Sequence, residues 1–302
     1  MMTAIPVTLI GGYLGAGKTT LVNSLLRNAA GRRLAVLVNE FGALPIDADL
    51  IEARDDNLIS ISGGCICCSF GSDLVAALIE LKAGDRQIDH LLIETSGVAL
   101  PGSIVQSIAL LPGLVMDGVV VLADAETVEA RARDRYVSDT VRAQLAAADI
   151  ILLNKIDLVS SERAAATLRW LCHAAPDVRI LSVQHAGVAS DIVLGRHPQT
   201  WRKDSQIGFA THQAADYDVV TLEVDGSRDA EGLARALSDP RLGLLRAKGF
   251  VRGLDGKLVT LHVVGRRFRV EPAPSWIEGP GRLVCIGVAA EMDRAAINRS
   301  LS

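Results

Sequence analysis

The amino-acid sequence predicts an α/β fold, in which helices cover both faces of a mostly parallel sheet, followed by a small α+β domain. Apolar, β-branched segments alternate with helix-like stretches over the first 183 residues, a pattern typical of a parallel sheet buried on both faces. Beyond residue 217, strand-like segments dominate. In the first part, residues 7–10, 34–38, 58–61, 91–93, 119–122, 150–153 and 180–183 are strand-like, and residues 20–30 and 73–81 are helix-like.

The length of the chain and a break in this alternation predict two domains. A chain of 302 residues with 49% hydrophobic content can bury one large core and a smaller one. The pattern loosens between residues 187 and 216, where glycine, proline and scattered charges replace the apolar segments. We predict a first domain over residues 1–195, a linker over 196–216 and an α+β domain over 217–302. In the last domain we expect strands at residues 219–224, 258–264, 267–270 and 283–286, and helices at 229–237 and 290–301.

Charge, hydropathy and cysteine usage exclude several classes of protein. The net charge is −4 and no run of basic residues occurs, so nucleic acid is not an expected partner. Charged residues such as Asp117, Asp124 and Asp149 interrupt the apolar segments before the roughly 20 residues that a membrane span needs. The first ten residues do not resemble an export signal. Because an odd set of five cysteines does not suggest a disulfide framework, we expect a soluble protein in the reducing cytoplasm.

Residues 12–19, Gly-Tyr-Leu-Gly-Ala-Gly-Lys-Thr, follow the first strand and open the first helix, which is the context of a phosphate-binding P-loop. Glycines allow backbone N–H groups to face phosphate oxygens, Lys18 adds a positive charge, and the Thr19 hydroxyl can bind Mg²⁺. A glycine-rich turn without a ligand is the alternative. Because residues 12–19 match the P-loop pattern, we predict the fold class of a P-loop NTPase. The predicted phosphate-binding residues are Gly12, Gly15, Ala16, Gly17, Lys18, Thr19 and Thr20.

The strand at residues 150–153 delivers Asn154, Lys155 and Asp157 at its carboxyl end, where open α/β sheets bind ligands. The Asp157 carboxylate can accept hydrogen bonds from the ring N–H and the exocyclic amine of guanine. Adenine offers neither donor there and would leave a desolvated carboxylate unpaired, so we predict that GTP is preferred over ATP. The alternatives are a polar turn without a ligand and an ATP-dependent kinase, which needs an adenine pocket.

Residues 94–97, Glu-Thr-Ser-Gly, end another strand and complete the predicted catalytic set of Lys18, Thr19, Glu94 and Gly97. Glu94 would place a carboxylate near Mg²⁺, and Gly97 would bring a backbone N–H near the γ-phosphate. A plain strand-end turn is the alternative. Val98 follows, where many fast switches carry a water-orienting glutamine, and no arginine finger can be assigned. We therefore expect slow intrinsic hydrolysis.

Cys65, Cys67 and Cys68 crowd three thiols into four residues, which suggests a site for a soft metal. A closed structural zinc site needs four ligands, so this site must be completed from elsewhere, and incomplete coordination suits a carrier that releases its metal. Cys65 and Cys67 are the better pair because alternate residues of an extended segment face the same side. As the metal carried by these cysteines, we rank Zn²⁺ first and Co²⁺ second. The alternatives are small core residues or a redox-sensing cluster, and Cys172 and Cys285 are predicted to be core.

Taken in order along the chain, these segments resemble the CobW-like GTPases, a group related to the UreG, HypB and MeaB metallocentre-assembly GTPases. Members are regarded as metal chaperones or insertases. Two segments near the C-terminus, residues 245–250 and 283–287, resemble the CobW C-terminal domain, so the similarity covers nearly the whole chain. The segments that carry the resemblance in the first domain are residues 12–19, 38–42, 64–68, 94–97 and 154–157.

The resemblance implies a GTP-hydrolysing metallochaperone that carries Zn²⁺ or Co²⁺ on Cys65, Cys67 and Cys68 and delivers it to a client apo-metalloprotein or cofactor pathway. It also places Glu40 and Asp47 in a first switch near Mg²⁺ or the cargo metal. It further implies a second base-contacting loop at His185, whereas the other five histidines are predicted to be structural or on the surface. A nucleotide-gated metal sensor or scaffold is the alternative function, and a homodimer remains open.

Overall fold

The structure, a computed structural model, describes residues 4–29, 31–38, 60–62, 88–195, 217–274, 277 and 279–301. The predicted helix at residues 73–81 and the predicted linker at 196–216 lie outside the described residues. The chain divides into two compact units. One comprises Met1–Pro176 and Ser182–Leu194, and the other comprises Asp177–Leu181 and Gly195–Ser302.

The larger sheet confirms the predicted α/β fold. Its strand order is β3-β2-β4-β1-β5-β6-β7, and each registered pair from β3 to β6 is parallel. The parallel order brings the carboxyl ends of β4, β1, β5 and β6 to one edge, where ligands of such sheets bind. The strands are β1 (Ile5–Gly12), β2 (Leu34–Val38), β3 (Ser60–Ser62), β4 (His90–Glu94), β5 (Leu114–Asp124), β6 (Ile150–Asn154) and β7 (Arg179–Ser182).

Burial explains why these strands read as continuous apolar runs. Every residue of β2, β4 and β6 is buried, as expected for strands covered on both faces. Among the helices that the structure describes, none combines the length and apolar character needed to cross a membrane. The helices before residue 195 are α1 (Lys18–Arg27), α2 (Pro101–Ala109), α3 (Val128–Arg131), α4 (Ser138–Ala147), α5 (Ser161–Ala174) and α6 (Ser190–Leu194).

The second unit confirms the predicted α+β fold of the C-terminal part. Its sheet has the order β12-β11-β10-β13-β8 with antiparallel neighbours, and β9 pairs with β10 in parallel. Side chains of both helices join a buried core with strand residues that include Leu261 and Cys285. The elements are β8 (Tyr217–Val224), β9 (Ser227–Arg228), α7 (Ala230–Leu237), β10 (Leu244–Gly253), β11 (Leu258–Val264), β12 (Arg267–Pro272), β13 (Gly281–Val288) and α8 (Arg294–Ser300).

The central strand of this sheet, β10, is absent from the strands expected from the sequence. Arg246, Lys248 and Gly249 break the apolar alternation that marks a strand. In the structure Arg246 is only 4% exposed, and a Cβ on Gly249 would lie 2.0 Å from the carbonyl oxygen of Arg282. The glycine therefore permits a close approach of two backbones, and long-range packing overrides the weak local signal.

The two isolated cysteines occupy different environments. Cys285 is fully buried in the core of the second unit, as predicted. Cys172 is exposed, so the prediction of a core position is wrong for this residue. The reason is helical geometry: α5 buries Thr167 and Leu171, and the next residue points about 100° away from that face.

Burial raises the pKa of the Cys285 thiol from its ordinary value of 9.0 to about 12. The native thiol therefore stays protonated where the unfolded thiol ionises. Its contribution to stability is complete below pH 9 and is lost as the pH rises toward 12. We expect the free energy of unfolding to fall more steeply over this range in the wild type than in Cys285→Ala, with a differential loss of up to about 4 kcal/mol. Urea unfolding at several pH values measures this, and parallel pH profiles of the two proteins would contradict it.

Candidate nucleotide-binding site

The loop between β1 and α1 adopts a backbone that needs glycine. Gly12, Gly15 and Gly17 have φ values of 133°, 77° and 103°, in the region that strains other residues. A Cβ on Gly12 would lie 2.4 Å from the Leu122 carbonyl oxygen, and one on Gly17 would lie 2.5 Å from Asn154 Nδ2. The N-cap residue of α1 is Gly17, which has no side chain to occupy the N–H groups of the first turn, where Thr20 lies. The N–H groups at this helix end are therefore suited to bind an anion.

A buried carboxylate stands beside this loop. The Thr19 hydroxyl donates a hydrogen bond of 2.9 Å to Glu94 Oε1, and Glu94 is 2% exposed at the end of β4. The buried hydroxyl oxygens of Thr95 and Ser96 have no hydrogen-bond partner among the described residues. Carboxylate and hydroxyl oxygens are the ligands that Mg²⁺ prefers. With Lys18 only 8% exposed in the same turn, the site fits a magnesium-bound phosphate chain.

Asn154 joins the phosphate loop to a second loop. Its side chain is 2% exposed, donates from Nδ2 to the Ala16 carbonyl oxygen at 2.9 Å, and accepts at Oδ1 from the Ala186 N–H at 2.8 Å. The N–H of Gly187 donates to the Gln184 carbonyl oxygen at 2.7 Å and closes that turn. Asn154 therefore braces the two loops. Sequence reasoning did not identify Ala186, because it contributes only its backbone and an alanine carries no chemical signal.

The predicted base-reading residues meet in space. Asp157 lies in a 3₁₀ turn at Ile156–Leu158. Its carboxylate oxygen Oδ2 is 3.7 Å from His185 Nε2. Among the described residues, the non-glycine residues with positive φ are Lys155, His185 and Ala186, and all lie in these two loops. Such conformations cost about 1–3 kcal/mol each and collect at binding sites, where surrounding structure enforces them.

Lys155 is held by a residue that sequence reasoning missed. Its Nζ lies 2.7 Å from Asp124 Oδ2, at the carboxyl end of β5, and Asp124 Oδ1 accepts from the Glu126 N–H at 2.8 Å. Asp124 ends an apolar strand that pairs with the strand ending in Asn154. Its position at the carboxyl end of that strand could therefore have identified it as a site residue from the sequence. The ion pair restricts the position of the Lys155 ammonium group.

Gly97 lies against the tip of the phosphate loop. A Cβ on Gly97 would lie 2.5 Å from Leu14 Cδ2 and 2.8 Å from the Leu14 nitrogen, so the backbones touch where a γ-phosphate would be sensed. Leu14 itself is 64% exposed. The structure thus brings together the predicted phosphate, base and catalytic residues, although binding and catalysis by these residues stay predictions.

Apart from Thr19, the predicted metal ligands lie outside the described residues; they are Glu40, Asp47, Cys65, Cys67 and Cys68. In the part of the chain that the structure describes, no group of three or more His, Cys, Asp or Glu side chains could hold a metal ion. The described histidines other than His185 behave as structural or surface residues. His90 is buried 2.8 Å from Thr8 Oγ1, His262 is buried 3.1 Å from Glu271 Oε1, and exposed His173 contacts its own helix.

Comparison with protein families matches both parts of the chain. The family model described as CobW/HypB/UreG, nucleotide-binding domain, matches residues 6–182. The model described as the cobalamin synthesis protein cobW C-terminal domain matches residues 217–302. The first match alone covers more than half of the chain, and the two matches follow the order of the two folds.

Individual proteins agree with these matches. A protein named zinc chaperone CobW from Pseudomonas aeruginosa is 30% identical, over 99% of this chain and 91% of its own length. One named zinc chaperone YjiA from Escherichia coli is 31% identical, over 85% of this chain and 84% of its own. The solved structure of zinc-bound YjiA GTPase from E. coli aligns with a TM-score of 0.48 at 24% identity, over 99% and 98% of the two chains. The chain belongs to the CobW/HypB/UreG family.

Proposed function

We propose that this protein is a GTP-binding and GTP-hydrolysing metallochaperone that carries Zn²⁺, or Co²⁺ as second choice, and delivers it to a client metalloprotein. The observation that carries the nucleotide part is the pair of Asn154 hydrogen bonds, which unite the phosphate loop and the turn at residues 184–187, here called the base-reading turn, in one site. The names of the relatives, both zinc chaperones, support the metal part.

Guanine is the base that suits Asp157. Its carboxylate is 23% exposed and would accept from the ring N–H and the exocyclic amine of guanine. An adenine in the same place would leave the carboxylate desolvated without a donor, and unsatisfied polar groups produce strong discrimination. GTP is therefore the substrate.

Each catalytic group has a separate task in hydrolysis. The loop N–H groups and Lys18 would hold the phosphates, and Thr19 and Glu94 would hold Mg²⁺. The ion, when bound, neutralises charge on the β- and γ-phosphate oxygens. Gly97 offers its N–H to the γ-phosphate. Because Val98, 41% exposed, cannot orient a water by hydrogen bonding, intrinsic turnover is slow.

The topology of the sheet supports coupling between nucleotide and metal. Val38 is in register with both Ser62 and Glu94, so the ends of β3, β2 and β4 share one row. At a strand spacing of about 4.8 Å, the chain leaves β3 roughly 10 Å from Glu94. Cys65 follows Ser62 by three residues in the sequence. The described end of β3 therefore lies near the catalytic carboxylate, and we propose that a change at the γ-phosphate alters the affinity of the cysteines for metal.

Titration with Zn²⁺ tests this function. In the wild type, we expect the zinc affinity with a non-hydrolysable GTP analogue to differ from that with GDP by about fivefold or more, since coupling energies are typically about 1–3 kcal/mol. Cys65→Ser with Cys67→Ser should abolish tight binding in both states because two thiolates are lost. Cys172→Ser, at an exposed cysteine of α5, is the matched control. Zinc affinity that ignores both the nucleotide and the double substitution would refute the proposal.

A single-turnover experiment separates a chaperone from a sensor. With zinc-loaded protein and a zinc-accepting chelator or apo-metalloprotein, a chaperone releases about one metal for each GTP consumed. Release that continues at the same rate with the non-hydrolysable analogue would instead indicate a metal sensor or scaffold in which hydrolysis is incidental.

A further inference from the structure

Gln144 is a buried polar residue that sequence reasoning did not single out. It lies on α4 with 1% exposure, and its Nε2 donates to the carbonyl oxygens of Gly97 and Ala99, both at 3.0 Å. Because carbonyl oxygens can only accept hydrogen bonds, the amide atom of Gln144 that faces both of them is the nitrogen. One side chain therefore holds two points of the segment that follows the catalytic strand β4.

The same segment also lies against the phosphate loop. The ideal Cβ position of Gly97 lies 2.5 Å from Leu14 Cδ2 and 2.8 Å from the Leu14 nitrogen, which leaves no room for a methyl group. Gly97 is thus pinned between Gln144 and Leu14. Loss of the Gln144 donor would leave two buried carbonyl groups without their partner, and the segment could regain hydrogen bonds only by moving toward water.

We propose that Gln144 is a positioning residue that holds Gly97 against the phosphate loop in the orientation that recognises the γ-phosphate. The inference rests on the proposed GTPase function and deepens it. A diphosphate offers no γ-phosphate to Gly97, and its contacts lie with the loop glycines, Lys18 and the base-reading turn. Gln144 therefore affects the affinity for GTP relative to the affinity for GDP, and not nucleotide binding in general.

Gln144→Leu keeps a similar volume and removes the donor. We expect affinity for a non-hydrolysable GTP analogue to fall about tenfold or more, because the loss of both hydrogen bonds leaves two buried carbonyl groups unsatisfied. GDP affinity should stay within about twofold, and the single-turnover hydrolysis rate should fall with the triphosphate affinity. Gln144→Glu should lose at least as much, since an ionised carboxylate cannot donate. Gln106→Glu, at an exposed position of α2, is the matched control.

A double-mutant cycle tests whether Gln144 acts through Gly97. Gly97→Ala should also weaken the GTP analogue, and the combined variant should lose less than the product of the two fold-changes because both act on one segment. Equal losses of GDP and GTP-analogue affinity in Gln144→Leu, or losses that multiply in the double variant, would overturn the inference. A wild type that binds no GTP would instead overturn the proposed function.

Discussion

Asp157→Asn is expected to weaken GTP binding by about a hundredfold or more and to improve binding of xanthosine triphosphate. The Asp157 carboxylate, 3.7 Å from His185, would accept from the ring N–H and the amine of guanine. Asparagine presents an NH₂ group toward the exocyclic amine of guanine. Because both groups are hydrogen-bond donors, one hydrogen bond is replaced by a repulsive contact between two desolvated donors. Xanthine carries a carbonyl oxygen in place of that amine and restores the match.

Competition binding with GTP, xanthosine triphosphate and ATP measures the exchange of specificity. Asp139→Asn makes the same chemical change at an exposed residue of α4 and should leave the order GTP over xanthosine triphosphate unchanged. If Asp157→Asn weakened all three nucleotides equally, or left their ratio as in the wild type, Asp157 would not be the base-reading group.

Glu94→Gln is expected to lower the rate of GTP hydrolysis by about a hundredfold or more. Glu94 is 2% exposed and accepts the Thr19 hydroxyl at 2.9 Å, and glutamine preserves both volume and an acceptor oxygen. It removes the negative charge that would hold Mg²⁺, whose neutralisation of phosphate charge is worth several kcal/mol in the transition state. The loss should therefore appear in catalysis and not in folding.

Phosphate release at saturating GTP and Mg²⁺ measures this loss, and GDP binding without Mg²⁺ serves as the reading for an intact site. Glu162→Gln, exposed in the first turn of α5, is the matched control and should hydrolyse GTP at the wild-type rate. A Glu94→Gln rate within about threefold of the wild type would show that the carboxylate does not serve the metal-assisted step.

Local signals in the sequence were sufficient for most of the fold and failed at identifiable places. The buried strands of the parallel sheet were recognisable because burial on both faces forces a continuous apolar run. Strand β10 escaped recognition because Arg246 and Lys248 interrupt its apolar pattern, yet its neighbours β11 and β13 pair along its length. Cys172 was misplaced because an apolar stretch on a helix still exposes part of its circumference.

The sequence by itself determined the family resemblance and predicted the phosphate loop and the base-reading residues, because each of these is a short contiguous pattern whose backbone and charge requirements are visible residue by residue. Only the tertiary structure decided how the patterns are joined. Asn154 reaches Ala16 across 138 residues, and Gln144 reaches Gly97 across 47. Such contacts depend on strand order and helix placement, which bring together groups that carry no mutual signal along the chain.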